Sequence, residues 1–290
     1  MTDKRALCCL VLALCGAAAQ ADTVALQASR DNTLFEDPAG QISNGAGPAF
    51  YAGLTLVDTL RRGLLRFDLS GIPAGSTVTS VSLTLHLSRS ISSNTPVQLH
   101  RALRDWGEGT SNAGDPGGLG APATANDATW LYTFFSTQLW SADGGLAGTD
   151  FATSPSASAI VNDIAGFCTW GSTVAMVADA QAWLDNPATN FGWFVIGDEA
   201  NIGTAKRFDS REAPDPTFRP VLTVTFTPPC YANCDASSVA PILTANDFQC
   251  FLNQFAAQSP VANCDGSTAA PVLTANDFQC FLNTFAAGCS

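Results

Sequence analysis

Two pairs of aspartates, Asp235 with Asp247 and Asp265 with Asp277, carry the whole formal charge of the last 61 residues of this 290-residue chain, Cys230–Ser290. The pairs sit in two copies of one pattern spaced 30 residues apart, and Ala232–Ala257 agrees with Ala262–Ala287 at 21 of 26 positions. With no basic side chain nearby, a hard cation held by oxygen ligands is the simplest neutraliser. In each copy an Asn stands two residues before the first Asp, a Ser two residues after it, and the second Asp twelve residues on. Asn233, Asp235, Ser237 and Asp247, and equivalently Asn263, Asp265, Ser267 and Asp277, are therefore candidate ligands for two calcium ions. Asn233 to Asp247 spans fifteen residues where an EF-hand loop has twelve, and each site offers two carboxylates, so the expected affinity is modest. The alternative is that these aspartates are helix caps and turn formers in a module held by disulfides alone.

The elements that must place these ligands are also legible. Thr244 and Thr274 read as N-caps, which puts Asp247 and Asp277 in the first turn of a helix. Phe248, Phe251, Leu252 and Phe255 follow at the spacing of an amphipathic helix, with a counterpart from Phe278. Six of the ten cysteines lie in this tail. Six permit 15 pairings; the repeat favours the equivalent bridges Cys234–Cys250 and Cys264–Cys280, leaving Cys230 to join Cys289. Cys168 stands alone and reads as a buried free thiol.

The paired units, ending in PVLTANDFQCFLNTFAAGC, resemble the GC-type dockerins found at the C-termini of exported bacterial proteins. The resemblance covers the whole tail. It implies a duplicated calcium-binding loop–helix module that docks its host protein to a surface or scaffold partner, with the eight residues above as ligands.

At the other end, Lys4 and Arg5 precede an apolar run from Ala6 to Ala18 and a small-x-small site at Ala19-Gln20-Ala21. This reads as a cleaved secretory signal over residues 1–21, too short to span a bilayer. Without Asp3, Lys4 and Arg5, the 13 basic and 25 acidic residues become 11 and 24, and the net charge moves from −12 to −13. That balance argues against nucleic acid and against anionic membrane surfaces as partners. The expected protein is secreted, extracellular and not inserted in a membrane.

Residues 22–226 read as one mainly β domain, a β-sandwich or jelly roll with one short helix, joined by a linker at 227–229 to the small helical tail at 230–290. Val81, Leu83, Leu85 and Leu87 alternate with polar residues, as do Leu222, Val224 and Phe226, and turn-rich clusters separate the segments. Leu64–Phe67 and Val97–Leu99 read as strands, and Trp193–Ile196 as a strand buried on both faces. Met176–Leu184 is the expected helix, stopping at Asn186-Pro187. The stretch Arg61–Leu69 with Gly71–Gly75, Asp105–Gly109, and Arg207–Glu212 with Arg219-Pro220 resemble the DNRLRE-type domains of exported bacterial proteins. The resemblance implies a β-sandwich similar to carbohydrate-binding modules, some of whose relatives bind acidic polysaccharide.

Arg66, Trp106, Glu108, Arg207 and Arg211 are the candidate ligand-binding residues. The arginines would grip sugar hydroxyls or uronate carboxylates, and Trp106 would stack on a sugar or else plug the end of the sandwich. The competing reading makes Arg66 with Asp68, and Arg207 with Asp209 and Arg211, cross-strand ion pairs. Trp130 and Trp140 fall near loops, whereas Trp193 reads as core. His86 and His100 read as two solvated imidazoles on adjacent strands, and Asp198-Glu199 as an exposed turn. Asp105, Glu108, Glu199 and Glu212 are the carboxylates a glycosidase would need, but none lies in a catalytic motif. The sequence thus points to a secreted, non-catalytic polysaccharide-binding domain anchored through its tail. A ligand-free structural or adhesive matrix protein, and an anchored polysaccharide lyase or hydrolase, are the alternatives.

Overall fold

The computed structural model describes residues 21–237 and 239–289, so the expected signal lies outside the described residues save for Ala21. The chain forms two compact units, one from Ala21 to Pro228 and one from Pro229 onward.

The first unit is built from β1 (Asp22–Phe35), β2 (Ile42–Ser43), β3 (Ala49–Leu54), β4 (Leu60–Phe67), β5 (Thr77–Ser90), β6 (Thr95–Arg101) and β7 (Ala121–Pro122). These are followed by β8 (Tyr132–Phe134), β9 (Gln138–Leu139), β10 (Ala157–Val161), β11 (Gly166–Trp170), α1 (Val174–Asp185), β12 (Trp193–Ile196), β13 (Lys206–Asp209) and β14 (Val221–Thr227). The first half of β1 pairs with β14, and β14 with β5. On its opposite edge β5 pairs with β11, and beyond β14 it pairs with β13, which reaches β3. From Ala28 onward β1 pairs instead with β4, which continues through β12 and β6 to β10. The end of β3 also pairs with β4. All these pairings are antiparallel, and β1 and β3 join the two sheets of a β-sandwich.

The alternation in the sequence sets the inner faces. Val81, Leu83, Leu85 and Leu87 of β5 and Leu222, Val224 and Phe226 of β14 meet Leu65 and Phe67 of β4, Val97 and Leu99 of β6, and Trp193 and Val195 of β12. Phe194, between those last two, points the other way into a second core with Leu34, Leu64, Trp106, Trp130, Trp140 and Phe151. This second core exists because the long excursion between β6 and β10 folds over the outer face of the sheet. It makes β12 the two-sided buried strand its apolar run implies.

The helix begins two residues earlier than its apolar pattern, because Thr173 caps it by accepting from Met176 N at 3.0 Å. Met176, Ala180 and Trp183 enter the main core. Lys206, the one lysine of the first unit, is fully buried. Its Nζ donates to Ser90 Oγ, Ser92 O, Ser93 O and Asn162 O at 2.8–3.2 Å, tying together the loops that follow β5 and β10. Cys168 is half-buried on β11 rather than buried. Among the described residues, no helix is long and apolar enough to cross a membrane.

In the second unit, α2 (Ala245–Ala256) and α3 (Ala275–Ala287) carry the repeated sequence. They meet through Phe251 and Phe281, whose rings stack 4.2 Å apart and are both buried. Disulfides join Cys234 to Cys250, Cys264 to Cys280 and Cys230 to Cys289.

One buried acid gives a test of the sandwich. Asp179 of α1 accepts from Ser156 Oγ at 2.5 Å and from Trp193 Nε1 at 2.8 Å. Burial nonetheless raises its carboxyl above the ordinary 3.8. The fold therefore favours the protonated acid, a stabilisation complete below 3.8 and lost as pH climbs through the folded value. The thermal midpoint of the wild type, relative to Asp179→Asn, is expected to be highest at about pH 3 and to fall by about pH 7. A difference that does not change with pH would contradict this.

Candidate functional site

The tail loops bring each predicted ligand set together. Thr244 and Thr274 cap α2 and α3 in reciprocal capping boxes with Asp247 and Asp277. Both of these aspartates are fully buried. Asp247 accepts from Thr244 N at 2.7 Å and from Asp235 N at 3.2 Å, and Asp277 accepts from Thr274 N and Asp265 N at the same distances. The Thr274 N–H bond leads in holding the Asp277 carboxyl below the ordinary range. For Asp247, burial pushes upward, but the N–H bonds from Thr244 and Asp235 outweigh it. The second aspartate of each pair thus clamps the start of its loop to the helix that follows.

Asp235 and Asp265 are exposed and accept from Ser237 N and Ser267 N, both at 2.9 Å. Asn233 Oδ1 accepts from Ser237 N at 3.0 Å, whereas its counterpart Asn263 Oδ1 is buried with no partner. An orphaned carbonyl oxygen beside an exposed carboxylate is a donor set suited to a hard cation.

In the sandwich, the five candidate ligand residues do not converge. Trp106 is fully buried in the second core, its Nε1 donating to Phe191 O at 2.8 Å, so it offers no ring for stacking. Trp130 and Trp140 are buried there too, beneath the excursion that carries them. Arg207 donates to Asp115 at 2.7 Å and lies 3.5 Å from Asp209. It lines an apolar cleft of about 500 Å³ with Tyr51, Arg61, Arg89 and Ile91. Arg211 is spent on a two-point pair with Glu108, at 2.7 and 3.0 Å.

Arg66 behaves differently. Among the described residues it makes no ion pair, and Asp68 accepts from Ser70 instead. Arg66 and Asp68 line a cleft of about 400 Å³ between the end of β4, the Ser70–Ala74 turn and the end of α1, together with Trp183 and Asn190. Arg66 Nε, Trp183 Nε1 and Asn190 Oδ1 are each buried without a hydrogen-bond partner. Trp183 and Asn190 were not legible as site residues: one reads as helix core, the other as a residue after a helix stop.

Two of the remaining acids join a second grouping. Asp105 pairs with Arg30 at 3.2 Å, and Glu199 with Arg62 at 2.7 Å, so the Asp198-Glu199 turn is anchored rather than free. Glu108 and Glu212 meet a residue that the sequence did not single out, Asp31, with one carboxylate oxygen of each within 4.8 Å of the others. Asp31 is fully buried. Burial first, then Glu212, pushes its carboxyl well above the ordinary range. Burial also pushes Glu212 up to about 7, against the pull of Arg211. The signal that would have flagged Asp31 is the run Asp31-Asn32-Thr33, three polar residues in a strand that runs on into Leu34-Phe35.

The histidines are not solvated neighbours. His86 lies on β5, stacked on Phe218 at 3.9 Å with Nδ1 2.6 Å from Asp209, whereas His100, on β6 in the other sheet, is buried against Ala152 O.

Compared with known proteins, the chain matches no family model and no curated protein sequence.

The capping geometry predicts a stability effect that needs no ligand. Thr274→Ala removes the hydroxyl that accepts from Asn276 N at 3.1 Å and is expected to cost about 0.5–2 kcal/mol. Hydrogen exchange of the α3 amides would read this, and unchanged protection would contradict it.

Proposed function

We propose that this is a secreted, non-catalytic display protein. Its sandwich binds a polysaccharide in the cleft lined by Arg66, Asp68, Trp183 and Asn190, and its tail is a calcium-binding attachment module. The observation that carries the glycan reading is the Arg66 guanidinium, which lines that cleft beside Asp68 with no ion pair among the described residues. A sugar supplies both hydroxyl donors and oxygen acceptors, and a uronate adds a carboxylate for the Arg66 guanidinium. The cleft lies within the usual range of ligand pockets, about 300–1,000 Å³.

The three disulfides support an extracellular setting. Binding rather than catalysis is supported by the arginine ion pairs that occupy Asp105, Glu108 and Glu199. For the tail, the unpartnered Asn263 Oδ1 and the exposed Asp235 and Asp265 support calcium in the two repeated loops. Its resemblance to dockerins supplies the role, attachment to a surface or scaffold protein. Calcium there would neutralise the aspartates and stiffen loops that the disulfides and caps already hold.

Two experiments test these parts separately. The full chain is expected to bind acidic oligosaccharides on a glycan array, and Arg66→Gln to weaken that binding by at least about tenfold, the loss of a charged hydrogen bond. Arg89→Gln, in the other cleft, should leave it unchanged. No binding to any glycan would overturn the sandwich reading. In calcium calorimetry, the double variant Asp235→Asn/Asp265→Asn is expected to take up two equivalents fewer than the wild type. Equal uptake would overturn the tail reading.

A further inference from the structure

Asp31, Glu108 and Glu212 converge from three separate parts of the chain, and each is locked in place. Asp31 lies on β1 just past the bulge between Ala28 and Arg30, where its Oδ2 accepts from Arg211 N at 2.7 Å. Glu108 stands in a loop pinned to the same strand. Its Oε1 accepts from Asp31 N at 2.8 Å, and Asn32 Nδ2 donates to Glu108 O at 3.0 Å. Within the excursion, Gly107 lets this loop pack on Asn126, whose O would lie 1.8 Å from a Cβ there. Glu212 follows β13, its Oε1 2.8 Å from Arg211 Nε. With all three ionised, three carboxylates against one guanidinium would leave two negative charges.

Two oxygens of this cluster remain unsatisfied. Asp31 Oδ1 and Glu212 Oε2 are buried and have no hydrogen-bond partner, although Asp31 as a whole is 0% exposed. An orphaned acceptor on a wholly buried charged side chain is costly unless something positive meets it. The span of the cluster admits a single hard cation. Oxygens bound to one calcium at about 2.3–2.6 Å lie no more than about 5 Å apart across it. The three carboxylates offer oxygens within 4.8 Å of one another. Glu108 and Glu212 keep 15% and 24% of their side chains exposed, which leaves a solvent-facing side for entry and for water ligands.

We propose that Asp31, Glu108 and Glu212 form a calcium site in the sandwich, independent of the tail, with Arg211 holding two of the ligands in register. The ion would cross-link β1, the β6–β10 excursion and the turn after β13, adding to the second core, the Arg30–Asp105 pair and the Arg211 pairs that already join them.

The test uses the full chain freed of metal with a chelator, with the tail contribution removed by Asp235→Asn/Asp265→Asn. Calcium content after equilibrium dialysis against micromolar calcium is expected to be one equivalent per chain in that double variant, and none once Glu212→Gln is added. Asp31→Asn in the same background serves as a second loss, and circular dichroism checks that each variant is folded. Calcium should also raise the thermal midpoint of the double variant. No calcium in the double variant would overturn the proposal and leave a proton shared by Asp31 and Glu212 as the occupant. Calcium retained in both added variants would overturn it as well. Because the tail aspartates are already removed, neither outcome depends on the tail reading.

Discussion

Between Gln27 and Ala28, β1 leaves β14 and joins β4, and the strand that makes this crossing carries Asp31, Asn32 and Thr33 into wholly buried positions. Buried polar groups must find partners, and these find them far along the chain. Asn32 Nδ2 donates to Glu108 O and its Oδ1 accepts from Ser43 Oγ, while Thr33 Oγ1 accepts from Tyr51 N. Asp31 takes Arg211 N and gives its own N–H to Glu108. The one crossing therefore fixes where the Glu108 loop and the Arg211 turn lie, and with them the acidic cluster. It also lets a single strand close both sheets, the demand that makes a sandwich rather than two separate ribbons.

The regular parts of this architecture were legible because they obey a period. The alternation in β5 and β14 marked the inner face, and the apolar run at Trp193–Ile196 marked a strand covered on both sides. Repeat symmetry in the tail brought out the helices and their threonine caps. What escaped was long-range and aperiodic. Trp106, Trp130 and Trp140 look like loop aromatics, yet the loops themselves fold over the outer face of the sheet and bury them. His86 and His100 share an outward register in sequence but belong to opposite sheets. Asp31 carried no motif, since only the crossing of β1 makes an acid there unusual.

The two units use charge in contrasting ways. In the sandwich several acids are answered by arginine: Asp105 by Arg30, Glu199 by Arg62, Glu108 by Arg211. Arg66 has no such partner, and the cluster around Asp31 has too few; the two proposed ligand sites rest on these positions. The tail has no cation at all, so Asp247 and Asp277 take backbone N–H groups instead, leaving Asp235 and Asp265 as the free charges. Disulfides and a stacked phenylalanine pair hold this small unit together, consistent with a cation that adjusts the loops rather than builds them.

The central claim is that the cleft beside Arg66 is a glycan site. A crystal structure of the full chain grown with uronate oligosaccharides tests it most directly. The account predicts sugar density in that cleft, with ligand oxygens within hydrogen-bonding distance of the Arg66 guanidinium. A sugar bound elsewhere, or an empty cleft at saturating ligand, would contradict it.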